Sequence, residues 1–328
     1  MSITVLGECV ADAFVQPSVA AGELGLRVLP GGGPANTATA LARLGTPTRL
    51  LARLSADPFG ALFRERLTAA GVDLGDCVAA AESSTLAIAA LDANGQAGYS
   101  FHAEGTADWQ WQPAELAAVD LTGTSAVHTG SLALVRAPGG RVVENFLVRA
   151  RAHATISIDP NVRPLLVAPE RYRERIARWC ALADILRLSA DDLALLRPGV
   201  TAEQACDEWH ALGVPLVVLT LGEHGALASL DGVRLHVPAV RTHVVDTVGA
   251  GDAFTGALLH CLDRHGLLGG RLAGLTLEHV AEACRFAAEA AALTCAVAGA
   301  EPPRADQLGG AGRPAARDLP TDRQKLVR

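Results

Sequence analysis

The chain of 328 residues has few aromatic side chains, only 4%, and no long run of basic residues; its formal net charge is −7. Nucleic-acid backbones are bound by clustered lysine and arginine, so the composition argues against a nucleic-acid partner. No uninterrupted apolar run approaches the roughly 18 residues that span a membrane. The first residues also lack the basic start and long apolar core of a signal peptide. We therefore expect a cytoplasmic protein without a membrane partner.

Paired cysteines are absent as well. The seven cysteines include no Cys-x-x-Cys pair, and their odd number and irregular spacing argue against a disulfide framework or a zinc site. Free thiols in a reducing compartment are expected instead. Half of the residues are hydrophobic, which is enough to bury a large core, and the abundance of Ala, Leu, Val and Gly suits helices packed on a sheet.

Short apolar runs alternate with helical patterns along most of the chain. The predicted strands are residues 3–6, 48–54, 126–128, 156–159, 185–188 and 216–221, and the predicted helices include residues 37–44, 59–70, 141–152, 170–182, 253–264 and 277–298. Strands separated by helices predict parallel βαβ units with right-handed crossovers. A β-hairpin of residues 84–102, with a turn signal at Asp92-Ala93-Asn94-Gly95, interrupts this alternation.

The chain therefore divides into three predicted parts. Residues 1–11, 31–82 and 106–302 form an α/β body, and residues 12–30 and 83–105 form a small β lid. Residues 303–328 are rich in Pro, Gly, Ala and charge and are predicted to be a surface or mobile tail.

The most informative segment follows residue 245 and reads Asp-Thr-Val-Gly-Ala-Gly-Asp-Ala-Phe-Thr-Gly. It places Gly249, Ala250 and Gly251 directly before Asp252, and an apolar run follows. Small residues let a ligand approach the backbone, and the start of a helix offers free N–H groups to an anion. A carboxylate at that point can take a proton from a hydroxyl that attacks a phosphoryl group. The alternative is an acid that only stabilises the first turn of a helix.

A second glycine-rich turn, Gly31-Gly32-Gly33-Pro34-Ala35-Asn36, precedes another predicted helix. Asp12 and Asp159 stand beside predicted strand ends, where ligands bind in open α/β sheets. The Gly-x-x-x-x-Gly-Lys-Ser/Thr element of P-loop enzymes is absent from the sequence.

The two glycine-rich segments resemble the two signatures of the ribokinase-like (PfkB) carbohydrate kinases, and the similarity runs through residues 2–302. The resemblance implies a three-layer α/β/α sandwich with a mostly parallel central sheet and a small β-sheet lid. It implies transfer of the γ-phosphoryl group of ATP to a sugar hydroxyl, with Asp252 as the catalytic base. Gly249, Ala250 and Gly251 match the family's anion hole, which fits the electrostatics of a helix start.

The resemblance also implies a sugar site. Asp12 matches the family's acceptor of sugar hydroxyls, and Gly32, Gly33 and Asn36 match positions that meet the sugar. The alternatives are a solvated loop acid for Asp12 and a helix N-cap for Asn36. His102, on the predicted hairpin, is a further candidate for a substrate contact.

The segment Asp159-Pro160-Asn161-Val162-Arg163 resembles an element of fructokinases and 2-keto-3-deoxygluconate kinases. The resemblance places Asn161 near the substrate and Arg163 near the phosphates, where a planar guanidinium binds oxyanions well. The alternative is a helix-start turn with a surface arginine. Pro34 replaces the Lys of many relatives, which weakens the case for ribose.

Nucleotide and metal sites are implied by the same resemblance. The matching nucleotide-side residues are Ser189, Thr220, Gly222, Gly225 and Ala288. Asp192 replaces the family's glutamate, which holds Mg²⁺ through water; the alternative is a plain helix N-terminal acid. Asp246 and Val248 match a loop that binds a monovalent cation, K⁺, in some relatives. The turn at Gly222–Gly225 could also be an ordinary hairpin turn.

The sequence thus predicts an ATP- and Mg²⁺-dependent sugar kinase, with fructose as the first substrate candidate because Gly7-Glu8 and the Asp159–Arg163 segment look most like fructokinases. The alternatives are a 2-keto-3-deoxygluconate kinase, a ribose or nucleoside kinase, and a non-enzymatic sensor of sugar or nucleotide with a degenerate site. A keto-acid substrate would need an extra Arg or Tyr in the lid, for which Arg27 and Tyr99 are candidates. A homodimer formed through the lid is also expected.

Overall fold

The computed structural model of the protein describes residues 1–16, 22–91 and 97–309. Its strands, in chain order, are β1 (Ser2–Leu6), β2 (Val10–Gln16), β3 (Gly25–Gly31), β4 (Thr48–Leu51), β5 (Arg53–Ser55), β6 (Val78–Ala80), β7 (Thr85–Leu91), β8 (Ala97–His102), β9 (Thr124–Gly130), β10 (Thr155–Asp159), β11 (Ile185–Ser189), β12 (Leu216–Thr220), β13 (Ala226–Leu230) and β14 (Val233–Val237). The central sheet has eight strands in the order β14-β13-β12-β11-β10-β9-β1-β4.

The central sheet is parallel from β4 to β12. β13 and β14 extend it as antiparallel strands, an addition that the sequence pattern did not predict. The mostly parallel sheet, with helices on both faces, confirms the predicted α/β sandwich.

The helices are α1 (Gly33–Arg43), α2 (Pro58–Ala70), α3 (Pro113–Ala117), α4 (Ser131–Val135), α5 (Gly139–Ala150), α6 (Pro169–Arg173), α7 (Ile176–Leu182), α8 (Ala190–Leu196), α9 (Ala202–Ala211), α10 (Ala250–Arg264) and α11 (Leu277–Cys295). Within the described residues, no helix combines the length and apolar character needed to cross a membrane.

Two apolar cores separate the three layers. Successive side chains of a strand point to opposite faces, so Val217 and Leu219 join the core beneath α5 and α9, whereas Leu216 and Val218 join the core beneath α1, α10 and α11. All five residues of β10 are buried, as expected for a strand covered on both faces. The sheet therefore holds the carboxyl ends of its strands rigidly beside the start of α10.

A separate four-stranded sheet in the order β3-β2-β7-β8 corresponds to the predicted lid. β7 and β8 pair as an antiparallel hairpin. The proposed turn at Asp92-Ala93-Asn94-Gly95 lies outside the described residues, as do residues 17–21 of the lid and most of the tail. The domain boundaries themselves stay predictions.

Two predicted elements are divided in the structure. The predicted strand 48–54 is two strands, because β4 belongs to the central sheet whereas β5 pairs with β6. The predicted helix 170–182 is two short helices, α6 and α7. The change of direction lets both Tyr172 and Trp179 enter the core, where their rings meet edge to face at 6.1 Å.

Candidate active site

The candidate site lies where the carboxyl ends of the parallel strands approach the start of two helices. β10 ends at Asp159, β11 at Ser189 and β12 at Thr220, and the cleft beside them is lined by residues of α1 and α10, including Thr37 and Asp252. Clefts at this edge are the usual ligand sites of open α/β sheets. The structure thus brings together residues that lie more than 200 positions apart.

The first glycine-rich turn lies directly against the catalytic candidate. A Cβ atom placed on Gly33 would lie 2.6 Å from Nδ2 of Asn161 and 3.2 Å from Oδ1 of Asp252. Gly32 has φ 102° and would bring a Cβ to 2.4 Å from the Glu8 carbonyl oxygen, so only glycine fits this turn. The glycine-rich turn, predicted to meet the sugar, and Asp252, the predicted base, therefore lie within the width of one side chain of each other.

Asn36 forms a hydrogen bond with Asp252. Its Nδ2 donates to Oδ2 of Asp252 at 2.9 Å. Helix α1 begins at Gly33 with Gly32 as its N-cap, so the N-cap alternative for Asn36 is wrong. The hydrogen bond fixes one carboxylate oxygen of Asp252 and leaves the other oxygen facing the Gly33–Asn161 gap.

Asp252 is the third residue of α10 and has the electrostatics of a general base. Burial raises the pKa of its carboxyl to about 6, with nearby Asp159 acting in the same direction. The Asn36 hydrogen bond and the charges of Arg163 and Arg187 oppose the increase. A carboxyl with a pKa near 6 is largely ionised at neutral pH, yet it is a stronger base than an ordinary aspartate.

The turn before Asp252 presents a helix start to the cleft. Gly249 is the N-cap of α10 and has a left-handed φ of 77°. The N–H of Ala250 donates to the Thr247 carbonyl at 3.2 Å, so this donor is partly committed to the turn. Gly251 and Asp252 lie in the first turn, where an N–H has no helical acceptor. The start of α10 can therefore bind phosphate oxygens through Gly251 more readily than through Ala250.

Arg187 is a functional candidate that sequence reasoning missed. It lies in β11, buried, and donates to Oδ2 of Asp159 and to Oγ1 of Thr220, at 2.7 Å in both cases. A Cβ on Gly251 would lie 2.8 Å from its Nη1, and the guanidinium lies 5.7 Å from the Phe254 ring centroid. A single charged residue inside the apolar run Ile185-Leu186-Arg187-Leu188 was the signal in the sequence.

Asn161 and Arg163 follow β10. Asn161 has a left-handed φ of 42°, and its backbone N–H donates to Asp159 Oδ1 at 3.1 Å. Arg163 is exposed on the cleft side, and its charge lowers the pKa values of Glu8, Asp12 and Asp252. These effects show that the Arg163 charge lies near the acids of the cleft; its contact with the phosphates stays a prediction.

Asp12 lies on β2 of the lid, at the edge of the cleft. A Cβ on Gly31 would lie 2.0 Å from Oδ2 of Asp12, so the carboxylate covers the glycine-rich turn. Burial raises the pKa of Asp12 to about 6, and the charge of Arg163 opposes this increase. The alternative of a solvated loop acid is wrong, because Asp12 is in a strand and is half-buried.

The register of the lid separates His102 from Asp12. Asp12 is paired with Ala87, and Ala87 with Phe101, whereas His102 is paired with Leu86. Residues directly opposite each other share a face of the sheet and neighbours along a strand alternate. The Asp12 face therefore carries Phe101 and not His102, so the pairing disfavours a substrate contact by His102, which stays a prediction.

The nucleotide-side candidates lie around the ends of β11 and β12. Thr220 Oγ1 accepts from Arg187, and the turn from Gly222 to Gly225 joins β12 to its antiparallel partner β13. The turn is therefore a hairpin turn, and a role in nucleotide binding would be additional. Ala288 is half-buried on α11 and packs against the core. The nucleotide contacts of these residues stay predictions.

Ser189 and Asp192 form a capping box at the start of α8. Asp192 Oδ2 accepts from Ser189 N at 3.1 Å and from Ser189 Oγ at 2.7 Å, and Oδ1 accepts from Val162 N at 2.7 Å. A carboxylate has about four acceptor positions, so Asp192 keeps about one for a water. These contacts are those of an acid at a helix N-terminus, which is the alternative interpretation. The one remaining acceptor position is compatible with a role towards Mg²⁺ only through a bound water.

The predicted cation loop is assembled around Asp246. Its Oδ1 accepts from Val248 N at 3.0 Å and its Oδ2 accepts from Gly299 N at 2.8 Å. Its backbone N–H donates to the Cys295 carbonyl at 3.2 Å. The structure thus joins the segment before Gly249 to the end of α11. K⁺ binding by Asp246 and Val248 stays a prediction.

Comparisons with known proteins identify the family and the fold of this chain. A family model described as pfkB family carbohydrate kinase matches residues 2–307. A fructokinase from Rhizobium leguminosarum bv. trifolii is 36% identical over 268 residues, which are 81% of this chain and 81% of the relative. The fold is similar to that of an ATP-bound fructokinase from Xylella fastidiosa (TM-score 0.83, 27% identity, 91% and 93% of the two chains). It also resembles a double-mutant fructokinase from Vibrio cholerae O395 with bound fructose, ADP and potassium ion (TM-score 0.76, 26% identity, 91% and 93%).

Proposed function

The chain belongs to the pfkB family of carbohydrate kinases, and from this membership we propose that it is a fructokinase that phosphorylates a primary hydroxyl of fructose with ATP. The family confirms the prediction of a sugar kinase and removes the alternative of a non-enzymatic sensor. The observation that carries the assignment of the base is the contact of Asp252 with the sugar-side loop through Asn36, at 2.9 Å. Fructose is the favoured substrate because the R. leguminosarum relative is named a fructokinase.

The proposed reaction begins with the sugar held between the lid and the glycine-rich turn. Asp12 accepts sugar hydroxyl hydrogen bonds, and the backbone of Gly32 and Gly33 allows close approach. Asp252 takes the proton of the attacking sugar hydroxyl while the hydroxyl oxygen forms a bond to the γ-phosphorus of ATP. The bond between the γ-phosphorus and the bridging oxygen of the β-phosphate breaks, and ADP leaves. The lid excludes water, which limits hydrolysis of ATP.

Charge on the transferred group is balanced by two kinds of donor. The N–H groups at the start of α10 face the phosphates, and Arg187 lies against Gly251 at the same point. Arg163 adds charge from the exposed side of the cleft. We assign Arg187 the role nearer to the α10 start, because Asp159 and Thr220 hold its guanidinium in one orientation whereas Arg163 is exposed.

Two metal ions are part of the proposal. Mg²⁺, when bound with ATP, would neutralise phosphate charge, with Asp192 ordering a bound water; Mg²⁺ keeps several waters, so this arrangement fits its coordination. K⁺ would bind at the Asp246–Val248 loop; the V. cholerae fructokinase with a similar fold was solved with a potassium ion bound, which supports a monovalent cation as a cofactor. A cation there would fix the segment that leads into the anion-binding turn.

A 2-keto-3-deoxygluconate kinase is the second candidate, and the lid contains a specific reason to keep it. Phe14 is paired with Arg27 and with Ala89, and Ala89 with Tyr99. Arg27 and Tyr99 therefore lie on the Asp12 face of the lid, where a substrate carboxylate could meet a cation and a phenol.

The test is an ADP-release assay with fructose, 2-keto-3-deoxygluconate, ribose and adenosine as separate substrates. We expect fructose to give the highest kcat/KM. The Asp252→Asn variant, purified in the same way, is the control: if it loses the activity, the activity does not come from a contaminating kinase. A higher kcat/KM for 2-keto-3-deoxygluconate that falls in Arg27→Gln would replace fructose with the keto acid.

The homodimer is proposed through the lid, where Leu24 and Leu26 are exposed apolar side chains; Leu26 is paired with Val15 and so lies on the face opposite Asp12. Sedimentation at micromolar concentration should give the mass of two chains, and Leu26→Glu should shift it to one. The mass of a single chain for the wild type would exclude the dimer.

A further inference from the structure

A compact group of three metal-ligating side chains lies at the end of α10, away from the cleft. Among the described residues, Cys261, His265 and Glu282 each offer one ligand atom, and these atoms all lie within 4.8 Å of one another. His265 Nε2 and Glu282 Oε1 are 3.3 Å apart. None of the three residues is among those that line or approach the cleft.

The ligand set has the chemistry of a zinc site. Thiolate, imidazole and carboxylate are the three side-chain ligands that Zn²⁺ takes, in tetrahedral geometry, and three protein ligands with one water make a complete shell. Calcium and magnesium prefer shells made of oxygen. A sulfur and a nitrogen beside one carboxylate therefore favour zinc over those ions.

The backbone holds the three groups in place. Cys261 and His265 are four residues apart at the end of α10, so they lie on one face of the helix. Glu282 comes from α11, whose Ala283 and Cys284 pack in the same core as Cys261. Cys261 is buried, whereas the side chains of His265 and Glu282 are 37% and 52% exposed, so an ion can enter from solvent.

A neighbouring histidine is already committed to the helix start. The His279 ring lies 5.5 Å from the His265 ring, but its Nδ1 is engaged by the Thr276 hydroxyl at 3.1 Å in the capping box of α11. His279 is also not among the residues whose ligand atoms lie within 4.8 Å of one another, so we leave it out of the ligand set.

We propose that Cys261, His265 and Glu282 bind one Zn²⁺ ion, with a water as the fourth ligand, and that the ion joins the end of α10 to α11. Cys261 follows Asp252 by nine residues, so the ion lies about 14 Å along the helix axis from the base. At that distance from Asp252 the ion would take no part in phosphoryl transfer. The sequence argued against zinc because it shows no paired spacing, but here the ligands come from two helices that meet only in the fold.

Metal binding must displace the thiol proton. Burial, with the charge of Glu282 in second place, raises the pKa of the Cys261 thiol to about 11, so the group is a neutral thiol at pH 7 until a metal binds. Zinc would bond to the sulfur as the proton leaves to solvent. Cobalt in the same site would then give a thiolate-to-metal absorption band.

The experiment uses the full chain, stripped with a chelator and kept reduced with a phosphine. Zn²⁺ is titrated and counted after desalting, and Co²⁺ is added to a separate sample for its absorption spectrum. We expect one zinc per chain and a thiolate–cobalt band. Cys261→Ser and His265→Ala should each weaken zinc binding by at least about 100-fold, since loss even of a group that only supports a ligand costs 10–100-fold.

Matched controls come from a cysteine and a histidine elsewhere. Cys77, whose Sγ donates to the Leu50 carbonyl, and the exposed His153 lie outside the cluster. Cys77→Ser and His153→Ala should retain one zinc per chain. Less than one zinc on the wild type, equal loss in the controls, or full retention in both Cys261→Ser and His265→Ala would overturn the proposal. If Cys261→Ser fails to fold, the wild-type cobalt spectrum decides, because a spectrum without the thiolate band also overturns it.

Discussion

Replacing Arg187 by Gln should separate catalysis from stability in this kinase. Arg187 and Asp159 form an ion pair at 2.7 Å in which each side chain is only 7% exposed. Removing one partner of a buried pair leaves an uncompensated charge and costs roughly 3–5 kcal/mol. We expect Arg187→Gln to lower the free energy of unfolding by an amount near the bottom of that range, since Gln can still donate one hydrogen bond to Asp159.

The effect on turnover has a different origin. If Arg187 stabilises the transferring phosphoryl group beside Gly251, its loss resembles removal of one donor from an oxyanion site. Such losses reduce kcat by about 100- to 1000-fold. The KM for fructose should change little, because the sugar contacts of Asp12 and the glycine-rich turn remain.

A double variant distinguishes the two effects. Asp159→Asn with Arg187→Gln leaves two neutral side chains that can hydrogen-bond to each other, so no unpaired charge stays buried. Urea unfolding should show most of the lost stability restored, whereas the ADP-release assay should show kcat as low as in Arg187→Gln alone. Recovery of kcat in the double variant would refute a role of the Arg187 charge in phosphoryl transfer and leave only a structural one.

Further predictions concern the acids of the cleft. Asp252→Asn should reduce kcat about 1000-fold, which corresponds to about 4 kcal/mol of barrier, as expected for loss of a general base. Asp191→Asn, at an exposed acid, should keep wild-type turnover, and near-normal kcat for Asp252→Asn would defeat the assignment. The wild-type kcat should fall as the pH drops below about 6, because the pKa of Asp252 is raised to about 6 and only its ionised form accepts a proton; a profile flat from pH 5 to 8 would contradict this. Asp12→Asn should raise the KM for fructose more than it lowers kcat, and the opposite split would remove Asp12 from sugar binding. Burial raises the pKa of Glu8 to about 7 and those of Asp12, Asp108 and Asp252 to about 6, so at these groups the folded state binds more protons than the unfolded state. The free energy of unfolding should therefore decrease as the pH rises from about 4.5 to 7. If urea unfolding instead shows stability rising over that interval, these acids are stabilised as anions.

Local patterns in the sequence were sufficient for the elements that depend on short-range order. The helix after Gly33 and the helix that contains Asp252 follow from glycine-rich turns before Ala-rich runs, and the buried strands such as β10 follow from short apolar segments. Where the pattern was ambiguous, packing decided. The run from Thr48 to Leu54 was predicted as one strand from its apolar residues 50–52 and 54, yet β5 leaves the central sheet to pair with β6.

The site divides in the same way. Asp252 and the turn before it could be recognised because all their chemistry lies within a few consecutive residues. Arg187 could not be assigned a role, because its meaning depends on Asp159 and Thr220 of the neighbouring strands. The position of His102 likewise depended on strand register, since a shift by one residue moves a side chain to the opposite face.

The order of residues along the chain determined the alternation of strands and helices, the glycine-rich turns and the acid that begins α10, since each depends on contacts between near neighbours. The tertiary structure alone decided which charged groups meet, as in the pair of Arg187 with Asp159 and in the cluster of Cys261, His265 and Glu282. These meetings are set by strand order and helix packing, because burial and Coulomb forces act through space whatever the separation along the chain.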